Sequence, residues 1–213
     1  MIPRRFLAAL GGAASLLLAG GAAGAQSMGD HDWLVLQPEV SLAYANIVAI
    51  NNNALFPTAN ATGGWGAHVG VDAGMRFGPF TGGVRVDWAR YTAYDVGGAG
   101  LFAELRAPIP FVQPFVRVGF GYAWLGHLNA DPAYLACGAT GTGAGCPSVS
   151  GWYGSAGGGI DFPLQRHFTL GVHADATFLN LTRGASPTSV QFVNPGDSVG
   201  LQVTVGLHAA LRI

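Results

Sequence analysis

From Val199 to Ile213 the chain alternates without a break for fifteen residues. Val199, Leu201, Val203, Val205, Leu207, Ala209, Leu211 and Ile213 share one face, and Gly200, Gln202, Thr204, Gly206, His208, Ala210 and Arg212 share the other. Successive side chains of an extended strand point to opposite faces, so a period of two over this length excludes a helix and predicts a strand. It is also longer than the ~9–11 residues a tilted strand needs to cross a bilayer. Residues 65–77 repeat the pattern, with Trp65, Ala67, Val69, Val71, Ala73, Met75 and Phe77 opposed to Gly66, His68, Gly70, Asp72, Gly74 and Arg76.

Six further segments follow the rule less strictly, over 33–45, 80–91, 98–107, 114–125, 151–162 and 167–180. Half of the residues are apolar and only 10% are charged. Even so, no apolar run beyond the N-terminus is long enough for a membrane helix, because the 34 glycines interrupt every candidate. The links add a second, independent rhythm. Those after even-numbered segments are short: Gly78-Pro79, Pro108 to Gln113, and Pro163 to Arg166. Those after odd-numbered segments are mostly long, at 46–64, 126–150 and 181–197, with only 92–97 brief. Short turns on one side and long loops on the other are the signature of a transmembrane barrel. The predicted fold is therefore all-β, an eight-stranded antiparallel up-and-down transmembrane β-barrel with both ends of the chain on the turn side.

The N-terminus carries an export signal. Arg4 and Arg5 form a positive region, Phe6 to Leu18 an apolar stretch too short for an anchor, and Ala23-Gly24-Ala25 a small-residue cleavage site before Gln26. Residues 1–25 are read as a cleaved signal peptide, and 26–213 as one barrel domain. The net charge of −1 and the absence of any lysine give no basic patch for nucleic acid, and remove phosphate-loop and Schiff-base lysines together.

Period two alone does not say which face is inside, and a soluble lipocalin-like barrel would turn its apolar face inward. Three features favour the inverse. The apolar face is rich in aliphatics, aromatics such as Trp65, Phe77, Phe80, Trp88, Trp124, Trp152, Phe162, Phe168 and Phe178 fall near strand ends, and the other face gathers glycine and charge. With this architecture, and with the alternating end Leu207-x-Ala209-x-Leu211-x-Ile213, the chain resembles the small outer-membrane β-barrels of the OmpA/OmpX superfamily over about 33–213. Such barrels usually end in an aromatic residue, where this sequence has Ile213. The resemblance implies a Gram-negative outer-membrane location, surrounding lipid and lipopolysaccharide as partners, and insertion by the barrel-assembly machinery.

By alternation the interior holds Glu39, Asp72, Asp87, Glu104, Asp161 and Asp175 against Arg76, Arg85, Arg106, Arg117 and Arg212, with His68, His173 and His208. Six acids against five arginines predict a paired polar network that fills the narrow barrel, since buried charges need partners. No single-sign ring marks an ion filter. The pairs His173-x-Asp175 and His68-x-x-x-Asp72 each share a strand face, but two ligands per strand fall short of the three or four a zinc site uses. No His-x-Ser pair of a lipid-A deacylase is present. No cofactor, metal or catalytic residue is therefore predicted.

Cys137 and Cys146 are the only cysteines. Both fall in the longest loop, and export through an oxidising compartment predicts a disulfide between them, with a nominal loop-entropy gain of ~2–3 kcal/mol. Three functions stay open: a structural or surface-interaction barrel working through its loops; a narrow pore or hydrophobic-solute conduit, suggested by inward glycines that leave space unfilled; and, least favoured, a membrane-embedded lipid-A-modifying enzyme.

Overall fold

The computed structural model describes residues 33–53, 55, 62–128, 148–185 and 192–213. Residues 1–25, read from the sequence as a signal peptide, and Cys137 and Cys146 lie outside the described residues. Eight strands follow one another: β1 (Leu34–Asn53), β2 (Gly63–Phe77), β3 (Phe80–Tyr91), β4 (Asp95–Arg106), β5 (Gln113–Gly126), β6 (Val149–Gln165), β7 (Phe168–Arg183) and β8 (Gly196–Arg212). Each pairs antiparallel with its sequence neighbours, and β8 pairs with β1 to close the barrel. The seam is sealed at the turn end by reciprocal backbone bonds, Leu34 N–H to Ile213 O at 3.0 Å and Ile213 N–H to Leu34 O at 2.9 Å. The expected architecture and strand order are those found.

The strands reach further towards the loop end than alternation indicated. β1 continues through Asn46–Asn53, where a register shift against β8 between Asn46 and Asn51 carries it past the end of the apolar pattern. At the other end, β6 runs to Gln165 and turns at Arg166-His167. Gly78, at φ 62°, makes the tight β2–β3 turn, a left-handed conformation glycine adopts without a Cβ penalty.

The barrel is inverted relative to a soluble one. Val40, Leu42, Val71, Val86, Leu101, Val118, Val205 and Leu207 lie on the outer face, and buried residues alternate with exposed ones through most of β1, β3, β5 and β7. Aromatic residues cluster at both ends of this belt. Tyr44 meets Trp65 edge-on at 5.2 Å and Tyr122 meets Trp152 edge-on at 5.5 Å, while Trp33 and Phe77 meet at the turn end. Such girdles place amphipathic rings at the two membrane–water interfaces.

Candidate functional site

The inward residues form three layers. At mid-barrel, Arg85 and Asp72 are direct cross-strand neighbours. The Arg85 guanidinium forks onto the carboxylate, Nε to Oδ1 and Nη2 to Oδ2, both at 2.6 Å. Arg117 on β5 completes the layer. Its Nη1 donates to Glu39 Oε2 at 3.0 Å and to Asp72 Oδ2 at 3.1 Å, and its Nε and Nη2 donate to the two oxygens of Asp175. Glu39 also accepts from Arg85 at 3.3 Å and lies 3.8 Å from His68. Two arginines thus serve three carboxylates through planar forks, the geometry guanidinium groups supply best. Asp87, half-buried, occupies the space above Gly98, its partner in register.

Nearer the turns lies a second layer. Arg106 Nη2 donates to Glu104 Oε1 at 2.5 Å and stands 2.8 Å from Asp161 Oδ2. Arg76 and Arg212 sit half-buried at the mouth of this end, with Arg76 Nε donating to Gly78 O at 3.0 Å. A hydrogen-bonded chain connects the two layers: Ser41 Oγ to His173 Nε2 at 3.0 Å, His173 Nδ1 to His208 Nδ1 at 3.2 Å, and His208 Nε2 to Asp161 Oδ1 at 2.7 Å. The carboxylate end fixes its direction. Asp161 accepts, so His208 carries its proton on Nε2 and accepts at Nδ1 from His173, whose bare Nε2 accepts the Ser41 hydroxyl.

That polarity is the one a catalytic serine relay uses. The Ser41 hydroxyl, however, is buried inside the barrel wall over Gly206, where a Cβ would strike it. His173 reaches Asp175 only at 3.9 Å, and the His68 ring faces Glu39, so neither sequence-level His–Asp pair is the principal contact of its histidine. Among the described residues, no three His, Cys, Asp or Glu side chains form a metal cage.

The third layer, at the loop end, is apolar, which alternation did not anticipate. Ala43, Ala45, Ile47, Ala89, Tyr91, Val96, Leu125, Val149, Leu179 and Leu181 point inward, and Leu55, Tyr94, Leu128 and Phe192 from the links pack among them. Tyr94 donates to Ala45 O at 3.3 Å and Thr62 O at 3.1 Å, and burial holds its phenol well above the ordinary tyrosine pKa, so it stays a donor. Buried Arg183 donates to Leu55 O at 3.1 Å and lies 4.6 Å from the Phe192 ring centre, tying both residues to the loop end of β7. The signal was present in Phe178-Leu179-Asn180-Leu181 and Trp124-Leu125, where both strand faces turn apolar.

Inward glycines do not leave the interior empty. Gly157 stands in register between Arg117 and Asp175, Gly171 between Asp161 and His208, and Gly206 between His173 and Ser41. In each row the flanking side chains bond to one another across the glycine, in the space its Cβ would need. Between the charged and apolar layers lies a cavity of about 20 Å³ bordered by Glu39, His68, Arg85, Asp87, Tyr153 and Asp175, water-sized rather than solute-sized.

No family model matches the sequence, and no curated protein does. Solved structures do match the fold. Neisserial surface protein A is 12% identical, with a TM-score of 0.55 over 84% of this chain and 97% of that one. AlkL, solved in lipid bilayers, is 10% identical with a TM-score of 0.49, covering 89% of this chain and 94% of its own. OprG from Pseudomonas aeruginosa is 9% identical with a TM-score of 0.47, covering 88% and 100%. At such identities the likeness is one of architecture. A closed eight-stranded barrel with an apolar wall and a charged interior gives this chain the fold of the small outer-membrane β-barrels.

Proposed function

We propose that the protein is a closed outer-membrane barrel whose role is structural or surface-interacting, carried by its external loops rather than by conduction or catalysis. The observation that supports this most directly is the filled interior: two ion-paired layers crossed by arginine forks, capped by an apolar layer. A solute entering from the loops would have to displace packed side chains and then pass buried charges. The apolar layer is a feature that a hydrophobic-solute conduit would share, but here its space is taken up by tyrosine, leucine and phenylalanine. The Ser41 hydroxyl is buried against Gly206 inside the wall, which supports a non-enzymatic reading.

Outer-membrane lipid and lipopolysaccharide are then its surroundings, and the barrel-assembly machinery its route into them. Cleavage before Gln26 and a Cys137–Cys146 disulfide in the β5–β6 loop belong to the same proposal, and an intact mass of the mature protein reads both. The functional test is reconstitution into planar bilayers and liposomes after outer-membrane fractionation. No conductance steps and no solute uptake are expected; discrete steps would replace this reading with a pore.

A further inference from the structure

The β4–β5 link differs from the other two turns at its end of the barrel. Gly78-Pro79 and Arg166-His167 are two-residue turns, whereas residues 107–112 read Ala-Pro-Ile-Pro-Phe-Val, with no polar or charged side chain. Ile109 is 50%, Phe111 86% and Val112 39% exposed, so the segment displays its apolar groups outward instead of folding them onto the barrel. Its backbone is held to do so. Ile109 N–H bonds Ala107 O at 2.9 Å, Ala107 N–H bonds Pro114 O at 2.9 Å, and two prolines fix their own φ angles. Phe111 sits at φ 70°, a left-handed conformation that side-chain-bearing residues rarely adopt. A strained residue in a stiff turn with its ring presented to the outside calls for a partner.

The location identifies that partner. Phe80, Leu105 and Val116 form one outward row where the strands meet the turn, and Leu164 is exposed on the neighbouring β6. The apolar turn therefore continues the apolar wall past the end of the sheet. We propose that Ile109, Phe111 and Val112 are an interfacial anchor, inserted at the boundary between headgroups and acyl chains of the leaflet on the turn side, with a phospholipid surface as their partner. Aromatic and aliphatic groups without charge suit that depth. A preformed turn loses little conformational freedom on insertion. The anchor makes contact with lipid asymmetric at this end, through one link of the three.

The inference rests on the membrane-barrel reading, and one experiment separates the two. Fluorophenylalanine is placed at position 111, or at the mid-wall position Phe120, in the full chain, and the protein is reconstituted in phosphatidylcholine–phosphatidylglycerol vesicles. Fluorine spectra are recorded with a lipid carrying a nitroxide near the carbonyl end of its acyl chain, and separately with a water-soluble gadolinium chelate. Both positions should be broadened by the lipid nitroxide and shielded from the chelate. If position 120 behaves so but position 111 is broadened by the chelate, the anchor is overturned, the barrel stands, and the turn is free to meet a protein in the aqueous phase. If position 120 is itself open to the chelate, the membrane reading fails with it.

Discussion

Arg117 and Asp175 stand in one row of the sheet, two strands apart, with Gly157 between them, and the guanidinium reaches over the glycine to bond both carboxylate oxygens. Gly171 and Gly206 play the same part for Asp161–His208 and Ser41–His173. Glycine here is a spacer that brings next-but-one strands into contact.

Adding one methyl group tests the spacer role. A Cβ at Gly157 would fall on the Asp175 carboxylate and on Ala174 O, whereas one at Gly154 on the same strand meets nothing. Gly157→Ala should therefore destabilise the barrel by about 1–3 kcal/mol through overpacking, and Gly154→Ala should be neutral or stabilising by up to ~1 kcal/mol. Urea unfolding in short-chain lipid vesicles, followed by tryptophan fluorescence, measures both. Equal midpoints for the two variants would remove the spacer argument.

Removal of Arg117 leaves Glu39, Asp72 and Asp175 with a single nearby guanidinium, that of Arg85. Arg117→Met should cost about 3–5 kcal/mol, the usual penalty for stranding buried charge. Combining it with Asp175→Leu should recover part of that loss, because the double variant removes the carboxylate that was stranded. A double variant less stable than the sum of the two single ones would show that the pair acts through packing instead of charge.

The His173–His208 contact predicts opposite tautomers. Ring nitrogen-15 spectra of the refolded barrel should show His173 protonated at Nδ1 and bare at Nε2, and His208 bare at Nδ1 and protonated at Nε2. Ser41→Ala should move the His173 Nε2 resonance and leave that of His208 Nε2 nearly unchanged. Two rings with the same neutral tautomer would contradict the direction of the relay.

The strand period made the barrel readable before any coordinates, because one face of every strand must meet lipid and the other must not. Val199–Ile213 carries that requirement almost alone. The same alternation puts Glu39, Arg85, Arg117 and Asp175 on the inward face. It does not say who meets whom: the contact of Arg117 with Asp175 depends on the register of two intervening pairings, and register is a property of the closed sheet. The glycines were legible as inward but not as occupied, since the atoms that fill their space belong to other strands. The apolar loop-end layer escaped because Val96, Leu125 and Leu179 resemble strand-end irregularities until the barrel gathers them around Tyr94.

The mid-barrel layer also constrains the order in which the wall can form. Arg117 comes from β5, and its carboxylates come from β1, β2 and β7. A growing sheet of β2 to β5 would already carry Arg117 while lacking Glu39 and Asp175. Entering hydrocarbon hairpin by hairpin would then expose a partly matched charge at mid-depth, at the cost that confines lipid-facing arginine to the membrane edges. The cheaper course keeps the inner face in contact with water until β1 and β8 join, and neutralises the charges as the ring shuts. Assembly is thereby pushed towards a late, concerted closure.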